Sequence, residues 1–328
     1  MTLISTEDKV VIFGANGMVG SAIHRLLKKR GYRKIYTPSR MQLNLSSQSA
    51  VKDWFRNNNP DIVIAGAAKV GGIFANSNYP ADFILENLKI QTNIIETALQ
   101  NNVKKLLFLG SSCIYPKHAN QPINEEELLK GELEETNQWY AVAKIAGIKL
   151  CESLNIQYKF NSISLMPTNL FGPGDNYHRE NSHVLASLIR RFYEAKLNND
   201  EFVTCWGTGN PLREFLHVDD LAEACLFALE NWDIRNELAP KDINGNPLYY
   251  LNVGTGKDIS IKELANLISE LVGFKGKVKW DLSKPEGTPK KQLDISRIRN
   301  LGWEPKISLV DGLKSTIEQY AELDLENL

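Results

Sequence analysis

Tyr140 and Lys144 stand four residues apart in Tyr140-Ala141-Val142-Ala143-Lys144, so on a helix both project from one face. A phenol titrates near 10 and exchanges protons poorly at neutral pH. An ammonium beside it stabilises the phenolate and is expected to lower that value, so that Tyr140 could pass a proton to or from a carbonyl or hydroxyl. The spacing alone is common on surface helices. It gains weight from Gly110-Ser111-Ser112-Cys113-Ile114-Tyr115-Pro116, which follows the apolar run Lys105–Leu109. Ser111 is expected at the carboxyl end of that strand, where its hydroxyl could hydrogen-bond the same carbonyl oxygen as Tyr140.

A second constellation lies near the start. Gly14-Ala15-Asn16-Gly17-Met18-Val19-Gly20 spaces three glycines as G-x-x-G-x-x-G. A pyrophosphate needs a tight turn without Cβ atoms in its way and backbone N–H groups at a helix N-terminus. Three glycines by themselves fit any β–α turn. Here they follow the apolar strand Val10–Phe13 and open an amphipathic helix, Met18–Lys29, and that context favours a dinucleotide site. At the end of the next strand an NAD site usually carries Asp or Glu for the ribose hydroxyls, whereas this chain has Ser39-Arg40. A guanidinium grips a 2′-phosphate that a carboxylate would repel, so NADP(H) is favoured and Arg40 is its candidate ligand.

These residues need a frame. Lys34–Thr37, Ile62–Ala65 and a segment near Ser162–Leu165 read as further strands, and Ser46–Asn58, Ala81–Gln100 and Trp139–Leu154 as helices, with Ser46 or Ser47 as a cap. Strands alternating with helices predict an α/β fold, a doubly wound parallel (Rossmann) sheet whose ligands bind beyond the carboxyl ends of the strands. Residues 1–166 are read as the NADP-binding domain, with a return segment near 214–252. Residues 167–328 are read as a smaller C-terminal α/β substrate-binding domain. That half has helices at His183–Ala195, Asp220–Glu230 and Ile261–Val272, and turn-rich stretches at 167–180, 207–212 and 285–289.

Composition narrows the function. With 43% hydrophobic and 23% charged residues and a net charge of -1, the chain is an ordinary globular protein, with no support for nucleic-acid binding. Its four cysteines have no C-x-x-C spacing, and its histidines lack close ligand spacing, so no metal is expected. Residues 1–8 lack the regions of a secretory signal peptide, and no apolar run is long enough to span a bilayer. The expected location is the cytosol.

Together the glycine turn, Ser111, Tyr140 and Lys144 resemble the extended short-chain dehydrogenase/reductase family. The resemblance covers nearly the whole chain and includes Arg213–Asp220 and Asn252–Gly256. Within the family the chain is most similar to members that epimerise C3 and C5, and reduce C4, of GDP-4-keto-6-deoxy-D-mannose. Ala67–Ile73, Gly110–Pro116, Met166–Leu170 and Asn181–Val184 carry that likeness. Related 4,6-dehydratases have an acidic pair where this chain has Cys113-Ile114.

The resemblance implies a GDP-sugar substrate, NADPH as reductant, and a homodimer paired through the helices at 81–100 and 139–154. It makes Cys113 the base and His183 the acid of the epimerisations. If the loop after the fourth strand is extended, Ser111 and Cys113 point to the same side. Lys144 is expected at the nicotinamide ribose, with Pro167, Thr168, Asn169, Leu170 and His183 beside the cofactor. Arg191 and Arg213 match substrate positions, Trp206 offers packing, and Lys290 rests on the loop Gly287-Thr288-Pro289-Lys290-Lys291. Some members carry Arg at the position of Asn16, which would leave Arg40 with less help here. Two other readings remain at this point: an NAD-dependent sugar-nucleotide 4-epimerase or dehydratase that recycles its hydride, and a non-catalytic NADP-binding regulatory module.

Overall fold

A computed structural model describes residues 2–179, 181–284 and 287–325. Glu180, Pro285 and Glu286, which end or open two of the turn-rich stretches, lie outside the described residues. In chain order the elements begin β1 (Val10–Phe13), α1 (Met18–Lys29), β2 (Ile35–Tyr36), α2 (Gln48–Asn58), β3 (Ile62–Ala65), α3 (Ile73–Asn78), α4 (Pro80–Gln100) and β4 (Lys105–Leu109). They continue with α5 (Gln138–Tyr158), β5 (Ser162–Pro167), β6 (Asn169–Phe171), α6 (Val184–Leu197), β7 (Phe202–Trp206), β8 (Leu212–His217) and α7 (Val218–Asn231). The last are β9 (Tyr250–Val253), β10 (Asp258–Ser260), α8 (Ile261–Val272), β11 (Lys277–Asp281), β12 (Lys290–Lys291), α9 (Ser296–Leu301) and α10 (Leu309–Leu325).

Six strands form one parallel sheet in the order β2-β1-β3-β4-β5-β9. Every residue of β1, β3 and β4 is buried, as expected of strands covered by helices on both faces. Val10 pairs with Ile35 on one side and Ile62 on the other, so the strand order reverses at β1. A crevice opens at such a reversal, and the glycine turn sits there. The chain returns to this sheet late: α7 packs on α1, and β9 adds beside β5.

Local chemistry explains the ends of the helices. Ser47 Oγ accepts from the Ala50 N–H and starts α2, so of the two expected caps Ser47 is the one used. Ser260 and Glu263 form a reciprocal capping box on α8, and Gly273 ends it at φ 81°. The fit of α5 against the sheet depends on Gly147, where a Cβ would stand 2.5 Å from the Phe108 ring.

The remaining strands make small separate sheets. β8 lies between β10 and β12 and also pairs with β6, while β7 pairs with β11. A second apolar cluster, including Phe171, Ile189, Phe192, Leu264, Ile268 and Leu313, ties α6, α8 and α10 together. The expected helix at 139–154 runs one turn further, to Tyr158, and the expected strand at 34–37 shrinks to two residues at the sheet edge.

Candidate active site

The glycine turn divides its labour. Gly14 has φ +88°, and a Cβ on it would strike the Ala67 backbone at 2.8 Å. A Cβ on Gly20 would meet the Gly14 carbonyl oxygen at 2.2 Å, so this glycine lets α1 lie on the turn. Gly17 differs, because a Cβ there finds only one atom within 4 Å, the Gly14 oxygen at 3.5 Å. Gly17 is the N-cap of α1, no side chain caps that helix, and its first turn holds no acid. Open space in front of free N–H groups at a helix N-terminus fits a pyrophosphate. Asn16 is exposed, Ala15 is buried, and Met18 and Val19 are partly buried at the start of the helix. Arg40 follows β2 with its side chain 93% exposed and Glu86 at 4.0 Å, so its guanidinium is available to an anion at this edge.

At the carboxyl end of β4 the backbone departs from the expected extended course. Ser112–Ile114 forms a 3-10 turn, and Ser111 Oγ caps it by accepting from the Cys113 N–H at 3.2 Å. Alternation along a strand therefore does not govern these residues; the cap holds Ser111 and Cys113 together instead. Behind the turn, Tyr115 donates its hydroxyl to Asn252 Oδ1 at 2.6 Å, and Asn252 donates its backbone N–H to Glu125, which pairs with Arg297. The turn thus leans on a buried polar network rather than on apolar packing alone.

Tyr140 lies in the first turn of α5, with its ring edge-on to Phe83. Burial raises its phenol above the ordinary value, the Cys113 side chain adds to the rise, and the Ser111 hydroxyl acts against it. The expected help from Lys144 is absent. Lys144 is buried, and its Nζ donates to the Leu109 carbonyl at 2.7 Å, 5.8 Å from the centroid of the Tyr140 ring. Burial pushes that amine down to about 7, so it is a weak fixed charge for the phenol.

Cys113 has a partner that the sequence did not single out. Lys291 Nζ donates to its Sγ at 3.3 Å. Burial alone would raise the thiol, but the Lys291 ammonium, the Ser111 hydroxyl and the Arg213 guanidinium outweigh it and hold the thiol below its ordinary value. His183 is the N-cap residue of α6, yet its imidazole makes no bond to the helix. The ring keeps solvent contact, while the surrounding protein and then the Lys291 ammonium keep it below its ordinary value. Gly72 secures this corner, because a Cβ there would sit 2.7 Å from the Ser182 oxygen.

Lys290 points elsewhere and pairs with Asp258 at 3.3 Å. β12 is only two residues long, and consecutive strand residues face opposite ways, so choosing Lys290 over Lys291 inverts the side. The register sets Lys291 directly beside Arg213 of β8. Arg191 of α6 lies beside Cys205 of β7, and Trp206 ends the same strand half-exposed, with the Lys284 ammonium 5.7 Å from its ring. Pro167 ends β5. Thr168 donates its N–H to the Val253 oxygen, and Asn169 donates to the Glu214 carbonyl, so Pro167–Leu170 runs from the large sheet into β6.

A model of the NAD dependent epimerase/dehydratase family matches residues 10–244. The chain is 53% identical over 318 residues to the GDP-L-fucose synthase of Escherichia coli K12, covering 97% of this chain and 98% of that one. It is also 53% identical over 312 residues to GDP-L-fucose synthase 1 of Arabidopsis thaliana, covering 95% and 93%. Among solved structures, MlghC, the GDP-mannoheptose C4 reductase of Campylobacter jejuni with NADP bound, superposes with a TM-score of 0.88 at 39% identity over 97% of this chain and 99% of that one.

Proposed function

The chain belongs to the NAD dependent epimerase/dehydratase family, and from that premise we propose how its side chains carry out the reaction its relatives are named for. It is an NADP(H)-dependent enzyme with GDP-L-fucose synthase activity: GDP-4-keto-6-deoxy-D-mannose is epimerised at C3 and C5 and reduced at C4. NADPH supplies the hydride to C4 when bound. Gly14 to Gly20 hold its pyrophosphate, Arg40 its 2′-phosphate and Lys144 its ribose, while Pro167–Leu170 and His183 flank the nicotinamide. This places the cofactor on the part built around the six-stranded sheet, residues 1–166 with the return near 214–252, and the sugar nucleotide on residues 167–328.

One observation carries the chemistry: the Cys113 thiol stands beside the Ser111 and Tyr140 hydroxyls. The hydroxyl pair binds the C4 oxygen. Cys113 removes a proton from a carbon flanking that ketone, and negative charge gathers on the oxygen that Ser111 and Tyr140 hold. His183 returns a proton on the opposite face. In the reductive half Tyr140 gives its proton to the C4 oxygen, which suits a phenol raised by burial, because such a group is protonated at neutral pH. Arg191, Arg213 and Trp206 are assigned to the diphosphate and the base of the substrate. Lys290, engaged with Asp258, is not.

A homodimer is part of the same reading. The outer face of α4 and α5 exposes Leu85, Trp139 and Val142, and these helices pack on each other. A cytosolic location also belongs to it, supported by four cysteines that are all free thiols. No helix of the described residues is long and apolar enough to cross a membrane. The test of the function is net turnover. Purified enzyme with NADPH and GDP-4-keto-6-deoxy-D-mannose should oxidise the nicotinamide in step with formation of a 6-deoxyhexose of galacto configuration. No net oxidation, with retained NAD, would instead identify a hydride-recycling 4-epimerase.

A further inference from the structure

We propose that Lys291 is a positioning residue for the epimerisation half of the reaction: its ammonium holds the side chain of Cys113 as the thiolate base beside the C4 oxygen site. The inference rests on the epimerase/reductase reading above and adds to it a residue with no role there.

Cys113 lies in a 3-10 turn, not at a helix N-terminus that could stabilise a thiolate through the backbone. It must find its stabilising charge from side chains. From its own loop the Ser111 hydroxyl faces it, from α5 Tyr140, from β8 Arg213, and from β12 Lys291. Lys291 Nζ donates directly to the sulfur, at 3.3 Å. The same ammonium also acts on His183, the N-cap residue of α6. An ammonium at hydrogen-bond distance favours the anion of a thiol, and burial makes that pairing stronger than in water.

The structure spends much of its polar network on placing that lysine. β12 is held to β8 by the register Lys291↔Arg213. Two residues later, Leu293 N–H donates to Glu214 Oε2 at 2.7 Å, and the other oxygen of Glu214 accepts from the N–H groups of Thr255 and Gly256. Gln292 bonds Gln121 and the Gly256 carbonyl. The Ile123 N–H donates to the Gln292 oxygen, which binds the loop following Cys113 to the strand carrying Lys291. Lysine and cysteine thus come from segments 178 positions apart in the chain that are stitched together on both sides of the contact.

The proton balance is simple. The thiolate takes the proton from C3 or C5, the C–H electron pair moves to the C4 oxygen as the enolate, and the thiol so formed gives the proton up before the next cycle. Lys291 stays an ammonium throughout and touches neither carbon.

The test reads the thiol first and the chemistry second. With NADP bound, the rate of iodoacetamide alkylation of Cys113 is followed against pH by peptide mass spectrometry, with Cys113→Ser as the blank. The wild-type midpoint should lie below that of an ordinary thiol. Lys291→Met should raise it by about one pH unit or more, and Lys291→Arg should keep it low. Deuterium uptake from solvent at C3 and C5 should fall about tenfold in Lys291→Met at neutral pH and recover as pH rises through the new midpoint. A wild-type midpoint at or above the ordinary thiol value overturns the proposal without any variant, and so does a midpoint that Lys291→Met leaves in place. If wild type alkylates at low pH but never consumes NADPH with the keto sugar, the proposed reaction fails and the lysine–thiol pairing stands.

Discussion

In the proposed reaction Tyr140 acts as a protonated group, and that decides what its removal costs. The phenol is half-buried with its ring edge-on to Phe83, and desolvation, then the Cys113 side chain, raise its titration. Tyr140→Phe keeps the ring and its packing and deletes the acid. kcat for NADPH oxidation should fall by roughly 10²–10⁴, the usual worth of a positioned proton donor, while the Kd for NADPH stays within about twofold. Initial rates and a fluorescence titration check both halves. Unchanged turnover would remove Tyr140 from the mechanism. At this scale the sequence told much, because a helix puts positions i and i+4 on one face and Ser111 follows a buried strand. It misled on Lys144, since spacing does not reveal that the Leu109 carbonyl takes the ammonium. It also passed over Lys291, because a two-residue strand offers no pattern from which to read which of two adjacent lysines faces the site.

Single elements bring their own tests. In the glycine turn, Gly17 and Gly20 look alike as letters and differ in space. Gly17→Ala meets nothing closer than 3.5 Å within the protein, so Tm should move by less than about 2 °C. The added methyl stands where a pyrophosphate must approach, so the Kd for NADPH should rise about tenfold or more, that is about 1.4 kcal/mol. Gly20→Ala drives a Cβ to 2.2 Å from the Gly14 oxygen, and Tm should drop by roughly 3–8 °C, as for other overpacked sites. Calorimetry and a cofactor titration separate the two outcomes; equal effects at both positions would deny the division of labour. Lys105 is a different case. It opens β4 and reads as a strand-edge charge, but it is buried, and its Nζ donates to the carbonyls of Ala228, Leu229 and Trp232 at 2.9, 3.0 and 2.6 Å. These carbonyls cluster at the carboxyl end of α7, where backbone donors run out and the Trp232 N–H reaches only back to Ala228. Lys105→Met should cost about 3 kcal/mol in urea unfolding at pH 7. Burial, the largest cause, pushes this amine down to about 7 in the folded protein, below the ordinary lysine range of the unfolded chain. The unfolded chain therefore binds more protons above pH 7, and wild-type stability gains a component that grows as pH rises from about 7 toward that range. The variant should lack that component, and parallel slopes between pH 7 and 9 would contradict it. Helix and strand existence was legible wherever the apolar period was long. The small sheets around β8 were not, because their strands are short and pair across more than forty residues.

For the molecule as a whole, the arrangement of α4 and α5 poses the remaining physical question. Parallel sheets require helices on both faces, and those helices normally turn a polar side outward. α5 does not: its inner face packs Ala143, Gly147 and Ile148 on the sheet, and its outer face presents Trp139, Val142 and Ala146 at three- and four-residue spacing. α4 alongside adds Ala81 and Leu85, both exposed. A helix that is apolar on opposite sides must be covered on both, and a second copy of the same pair would cover it with a self-complementary patch. Such burial also matters to the site, because Tyr140 and Lys144 sit on the inner side of the same helix and depend on its fixed position. A charge placed in the patch should therefore act at two levels. Val142→Glu, on the outward stripe and two residues from Tyr140, should shift the protein from dimer to monomer in sedimentation velocity at micromolar concentration. Lys314→Glu, exposed on α10, which packs on α6 and α8 and not on α4 or α5, should leave the dimer in place. If Val142→Glu sediments as wild type does, the α4–α5 face is not the subunit contact, and the apolar outer side of α5 must answer to something other than a second copy of this chain.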